Sequence, residues 1–181
     1  YMGCVASDTQ QIIVNQLPLV SSNIFTTLCE SDTAYLLTGG FPFGGTFNGN
    51  SVVTNLFNAN SAGNGTHLIT YTYTDVNGCV NSAIDSILVN ELPVVNLGSF
   101  SALCADDTAI TLTGGTPIGG SFTGTGITNG SFDPSQVSSG FHHITYTYID
   151  SNFCSSEAMD SIQVNPLPVV TLASFSDLCV D

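Results

Sequence analysis

With neither Lys nor Arg among its 181 residues, this chain draws its candidate reactive groups chiefly from six cysteines, three histidines and fourteen acids. The cysteines stand at Cys4, Cys29, Cys79, Cys104, Cys154 and Cys179; their gaps alternate between 25 and 50, so one set recurs every 75 residues. An even, periodic set in a small β-rich domain reads as disulfides. A metal site lacks CxxC spacing and paired histidines, and a reactive thiolate lacks the neighbouring cation that would lower its pKa. Three pairings are open. Within a repeat, Cys29 joins Cys79 and Cys104 joins Cys154, but these cysteines fall at opposite poles of a sandwich, about 20 Å apart at ~3.3 Å per residue. A disulfide needs Cα atoms within about 7 Å. Across a junction, Cys4–Cys29, Cys79–Cys104 and Cys154–Cys179 can form together if the strand after Leu92-Pro93 folds back along the strand before it. Alternatively, Cys29 joins Cys154. Junction staples make a stiff rod, and internal ones make a string of stapled beads.

The acids gather as Glu30 with Asp32, Asp106 with Asp107, Asp75 with Asn77 and Asp150 with Asn152. Oxygen ligands suit calcium, which makes Asp32, Asp75, Asp107 and Asp150 the calcium candidates. The spacing is not that of an EF-hand, however, and each group offers only two or three ligands. Asp and Asn are also the ordinary residues of turns, so the expectation is turns and no cofactor. His67, His142 and His143 begin a Tyr-rich strand with no Ser–Asp constellation in register. Asp75/Asp150 and Asp85/Asp160 recur as carboxylate pairs, but turn and surface-strand roles explain them. No catalysis is expected.

The formal charge is −14 with only 8% charged residues, against about 25% in ordinary domains. The charge therefore comes from missing bases rather than added acids. Nothing can neutralise nucleic-acid phosphates, form a polybasic membrane patch or clamp a phosphorylated substrate. No apolar run approaches the roughly 18 residues of a membrane span. A surface of Thr, Ser, Asn and Gly points to an extracellular location.

The elements that must carry these residues repeat with the cysteines. Residues 16–90 and 91–165 align without a gap and share 35 identities in 75 positions. Residues 1–15 match the end of a repeat and 166–181 the start of another, so two whole repeats are expected within a longer chain. Short runs of Val, Ile, Thr, Tyr and Phe between Gly, Asn, Asp and Pro predict strands near 19–25, 33–38, 43–48, 51–57, 66–74 and 83–90. In 66–74, Ile69, Tyr71 and Tyr73 alternate with Leu68, Thr70, Thr72 and Thr74, so the Ile/Tyr face is expected inside. No helical period lasts beyond one turn. The expected class is all-β, with tandem Greek-key β-sandwich domains arranged head to tail.

The string Gly65-x-His67-x-Ile69-Thr70-Tyr71-Thr72-Tyr73-Thr74-Asp75-x-Asn77-Gly78-Cys79, with Ile87-x-Val89-Asn90-x-Leu92-Pro93, resembles the tandem PKD-like/Ig-like repeats of giant surface adhesins of Bacteroidota. These include gliding-motility filaments exported by type IX secretion. Gly39-Gly40-x-Pro42-x-Gly44-Gly45-x-Phe47-x-Gly49 fits the same repeats. The resemblance implies Ig-like domains in a secreted filament or adhesin stalk, whose partners are neighbouring identical repeats and other filament strands. It also implies O-glycosylation at Asp-Ser/Thr-small or apolar motifs. Thr33, Ser86, Thr108 and Ser161 fit, whereas the Asn64 and Asn129 sequons do not match between copies. The rival is a carbohydrate- or surface-binding module using loops 39–49 and 114–124. Against it, Trp is absent and Phe41 and Phe43 become Thr116 and Ile118 in the second copy.

Overall fold

The computed structural model describes residues 3–23 and 26–173. The chain divides into two compact units, Tyr1–Glu91 and Leu92–Asp181. The first holds β1 (Thr27–Cys29), β2 (Ala34–Leu36), β3 (Thr46–Gly49), β4 (Val52–Val53), β5 (Leu56–Asn58), β6 (Gly65–Thr74) and β7 (Val80–Asn90). They form one sheet ordered β1-β7-β6-β3 and a second ordered β2-β5-β4. The other unit holds β8 (Asn96–Leu97), β9 (Leu103–Cys104), β10 (Ile110–Thr111), β11 (Gly115–Thr116), β12 (Ser121–Thr123), β13 (Ile127–Thr128), β14 (Ser131–Phe132), β15 (Gly140–Ile149) and β16 (Ser155–Asn165). Its sheets are β12-β15-β16-β9, β10-β14-β13 and the pair β11-β8. Among the described residues, helix is confined to one turn, α1 (Ala59–Ala62), capped by Asn58, and a 3₁₀ turn at Pro134–Gln136, capped by Asp133. The all-β sandwich class expected from the sequence is the one observed.

The long hairpin β6–β7 organises the first unit, pairing antiparallel from Gly65↔Val89 to Thr74↔Val80. Period-2 alternation places Ile69, Tyr71, Ile87 and Val89 inside, where they pack with Leu28, Leu37, Phe47 and Phe57. Thr70 and Thr72 face outward beside exposed Leu68 and Ile84. The hairpin β15–β16 repeats this burial pattern position by position, 75 residues on, over a core of Leu112, Phe132, Ile144, Ile162 and Val164.

Two strand expectations need correction, and one strand was not expected. The run 51–57 is not one strand but the hairpin β4–β5, because Thr54 and Asn55 take φ of 48° and 62° and reverse the chain. Two consecutive positive φ values match the twist of a tight hairpin. Its counterpart β13–β14 turns at Asn129-Gly130, with φ of 51° and 75°. In 19–25 the described residues make a single bridge, Ser21↔Phe41, and positions 24–25 lie outside the described residues. Finally, the three-residue β1 runs parallel to β7, setting Cys29 beside Asn90. It is too short to show an alternating pattern in sequence.

Candidate functional site

The cysteines sit in two kinds of turn, each built around an aspartate. Between β6 and β7, Asp75 Oδ1 accepts hydrogen bonds from the backbone N–H of Asn77 (2.8 Å) and of Cys79 (2.8 Å). The Asp75 N–H donates to the Cys79 carbonyl and the Gly78 N–H to the Asp75 carbonyl. The same clamp recurs between β15 and β16, where Asp150 Oδ1 accepts from Asn152 N–H at 2.8 Å and Cys154 N–H at 2.9 Å. In the second kind, Asp32 Oδ2 accepts from the Cys29 N–H (2.8 Å) and Asp107 Oδ2 from the Cys104 N–H (2.6 Å). All four calcium candidates thus have a carboxylate oxygen engaged in closing a turn, the role that suits Asp where backbone donors converge. Cys104, Asp106 and Asp107 bring three ligand atoms within 4.8 Å of one another, all exposed. Two carboxylates and a thiol do not match the six to eight oxygens calcium takes.

Cys29 and Cys154 are disulfide-bonded, while Cys4, Cys79 and Cys104 are free thiols. Cys179 lies outside the described residues. Neither the within-repeat pairing nor the one through Cys79–Cys104 is formed. The topology gives the reason for the first. Cys29 is level with Asn90 at one end of β7 and Cys79 precedes Val80 at the other, about 33 Å away at ~3.3 Å per residue. For the second, Cys79 and Cys104 are both free thiols. The strand after Leu92-Pro93, β8, pairs with β11 inside its own unit.

The glycosylation candidates separate by exposure. Thr33 and Thr108 are exposed, whereas Ser86 and Ser161 are half-buried within β7 and β16. The backbone N–H of each serine is bound by the preceding Asp85 or Asp160 at 2.8 Å. The histidines are structural in their contacts. His67 Nε2 donates to the Gly63 carbonyl and His142 Nε2 to that of Ser138, and their rings lie against Phe57 and Phe132. His143 is exposed on the outer face.

The Gly/Pro-rich loops do something the sequence reading missed. Tyr71 OH donates to the Pro42 carbonyl and accepts from the Gly45 N–H at 2.7 Å. Tyr146 does the same with Pro117 and Gly120. Loops 39–49 and 114–124 are therefore folded over a buried tyrosine. A Cβ at Gly40 or Gly45 would overlap the Tyr71 ring, which is why only glycine fits there. The recurrence of Gly-Gly-x-Pro-x-Gly-Gly with the tyrosine 26 residues beyond its last glycine was the available signal. Outside this arrangement, Phe41 and Phe43 are 54% and 82% exposed and meet edge to face at 5.9 Å. In the second unit, exposed Ile118 borders an open depression of ≈ 340 Å³ lined by Leu112, Gly115, Phe122 and Tyr146.

No family model matches this sequence. No curated protein matches it. Among solved structures, it is similar to SGBP-B of the Bacteroides ovatus mixed-linkage glucan utilization locus, a surface glycan-binding protein solved in complex with a mixed-linkage heptasaccharide. The identity is 16% and the TM-score 0.28, over 83% of this chain and 48% of that one. The chain thus spans about half the length of that structure, and a likeness of this quality transfers no function.

Proposed function

We propose that this chain is a structural segment of a long, secreted surface filament or adhesin stalk, built from head-to-tail sandwich repeats and doing no catalysis. The observation that supports it is the recurrence, 75 residues apart, of the same long hairpin with the same inward residues and the same aspartate clamp. Catalysis or specific recognition needs groups that converge on one place, whereas His67/His142, Asp32/Asp107, Asp75/Asp150 and Asp85/Asp160 recur in equivalent, locally satisfied positions. Repeats that each bury their own core suit extension, because load and stability pass between neighbours. In this reading the partners are further repeats and other filament strands, and the location is the cell exterior. Calcium has no assigned part, and the exposed Thr33 and Thr108 are the preferred glycan acceptors over Ser86 and Ser161.

Glycan arrays and cell-surface ligands presented to the two-unit chain should give no saturable binding. A saturable ligand would overturn the stalk reading. Mass spectrometry of native material should find sugar on Thr33 and Thr108 first, and unmodified threonine at both would remove the glycan assignment.

The exposed Phe41–Phe43 pair favours a second reading, a carbohydrate- or surface-binding module, since aromatic faces stack on sugars. On that reading a ligand found by the arrays loses affinity in Phe41→Ala and Phe43→Ala, and its contacts map to loops 39–49 and 114–124.

A further inference from the structure

The second copy carries a polar depression where the first presents an apolar patch. On the sheet β10-β14-β13, a hollow of ≈ 400 Å³ has Ile127, Thr128, Ser131, Asp133 and Gln136 in its lining. Seventy-five residues earlier the last four positions hold Val53, Leu56, Asn58 and Ser61, and Val53 and Leu56 are exposed. Ser131 is the cross-strand partner of Thr128, so the two hydroxyls share a face. It is the outward face, because Phe132, next in the alternation, is wholly buried. Asp133 keeps to that face two residues on, its backbone still extended at φ −112° and ψ 106°. Its Oδ1 accepts from the Ser135 N–H at 3.0 Å and the Ser135 hydroxyl at 2.7 Å, and its Oδ2 has no hydrogen-bond partner among the described residues. Gln136 donates its amide N–H to Ser135 Oγ at 3.3 Å, which leaves its carbonyl oxygen unengaged. Every polar group that converges here thus offers an acceptor, and no Lys or Arg of this chain or of a second copy can meet them.

We propose that this depression receives the guanidinium group of an arginine carried by a different protein. Asp133 Oδ2, the Gln136 carbonyl and the hydroxyls of Ser131 and Thr128 each accept one N–H, and Ile127 gives the methylene stem an apolar contact. A guanidinium presents five donors in a planar fork, which suits several acceptors spread over one surface. An ammonium offers three donors around a point charge and suits them less. The charge of −14 draws a basic partner toward the chain and turns a second copy away. The inference goes beyond the stalk reading and does not rest on it: it gives one repeat a point of attachment to a protein of opposite charge and involves no glycan.

The test titrates the full 181-residue chain at low salt with the peptide acetyl-Gly-Ser-Arg-Ser-Gly-amide, read by backbone amide chemical shifts. Two control peptides carry Lys, or the neutral isostere citrulline, in place of Arg. The expected result is saturable shifts at Ser131, Asp133 and Gln136 with none at Val53, Leu56 and Asn58, weaker binding of the Lys peptide and no binding of the citrulline one. Asp133→Asn installs the residue of the first copy, where Asn58 caps the same turn by accepting from the Ser61 N–H. The fold is thereby kept while the charge is lost, and affinity should fall about tenfold. Thr128→Val with Ser131→Leu restores the apolar patch and should also weaken binding. The proposal is overturned by any of four results: no saturation with the arginine peptide, shifts spread evenly over the acids of both units, a Lys peptide that binds as tightly, or unchanged binding in Asp133→Asn.

Discussion

Position 78 is glycine in the first copy, with φ of 80°, and the corresponding Phe153 in the second has φ of 66°. Glycine takes that conformation without steric penalty and phenylalanine does not. Phe153 is also 86% exposed, so little packing offsets the strain. Phe153→Gly should therefore stabilise the second unit by about 1 kcal/mol, read as a higher urea midpoint; an unchanged or lower midpoint would show that the ring packs usefully. At the buried tyrosine the sign reverses. Tyr71→Phe leaves the Gly45 N–H and the Pro42 carbonyl without their partner, at a cost of about 1–3 kcal/mol, and the same denaturation measurement checks it. The tyrosine face was readable from period-2 alternation. Its hydroxyl's partners were not, because they lie 26 and 29 residues away in a loop with no regular period.

The long hairpin shows how an element decides what a substitution costs. Ile69 is wholly buried on the inner face, and Leu68, next to it in sequence, is 65% exposed on the outer face. Ile69→Ala should destabilise the first unit by about 2–5 kcal/mol through lost burial and the cavity left behind. Leu68→Ala should stay within about 0.5 kcal/mol. Comparable losses would mean that the outer face is covered in solution. β6 and β7 were legible because ten or eleven alternating residues carry a strong pattern. β1, β4 and β5 were not, being two or three residues long, and the hairpin turn within 51–57 became visible only through the positive φ of Thr54 and Asn55. The Asn129-Gly130 dipeptide in the second copy is a turn signal for the same hairpin.

For the molecule as a whole, the absence of Lys and Arg sets the response to solution conditions. A chain of charge −14 repels itself, and with no Lys- or Arg-based ion pairs to weaken, salt acts on that repulsion. Calorimetric melting temperatures should rise with added sodium chloride, and a fall would show that charge repulsion is not what salt relieves. Lowering the pH toward the sequence pI of ≈ 4.1 removes the net charge. Solubility should reach its minimum there, as turbidity measurements would show.

Composition, the 75-residue period and the alternation of Ile and Tyr with Thr were enough to determine the all-β class, the inward face and the aspartate turns. Each depends on residues close together in the chain, so each leaves a local signature. Which cysteines are oxidised, and why the Gly/Pro loops need their glycines, were decided by tertiary structure alone. A disulfide depends on which strand ends come within a few ångströms, and the glycines depend on a tyrosine ring delivered by a distant strand. Those separations are set by sheet order and register, which no single stretch of sequence encodes.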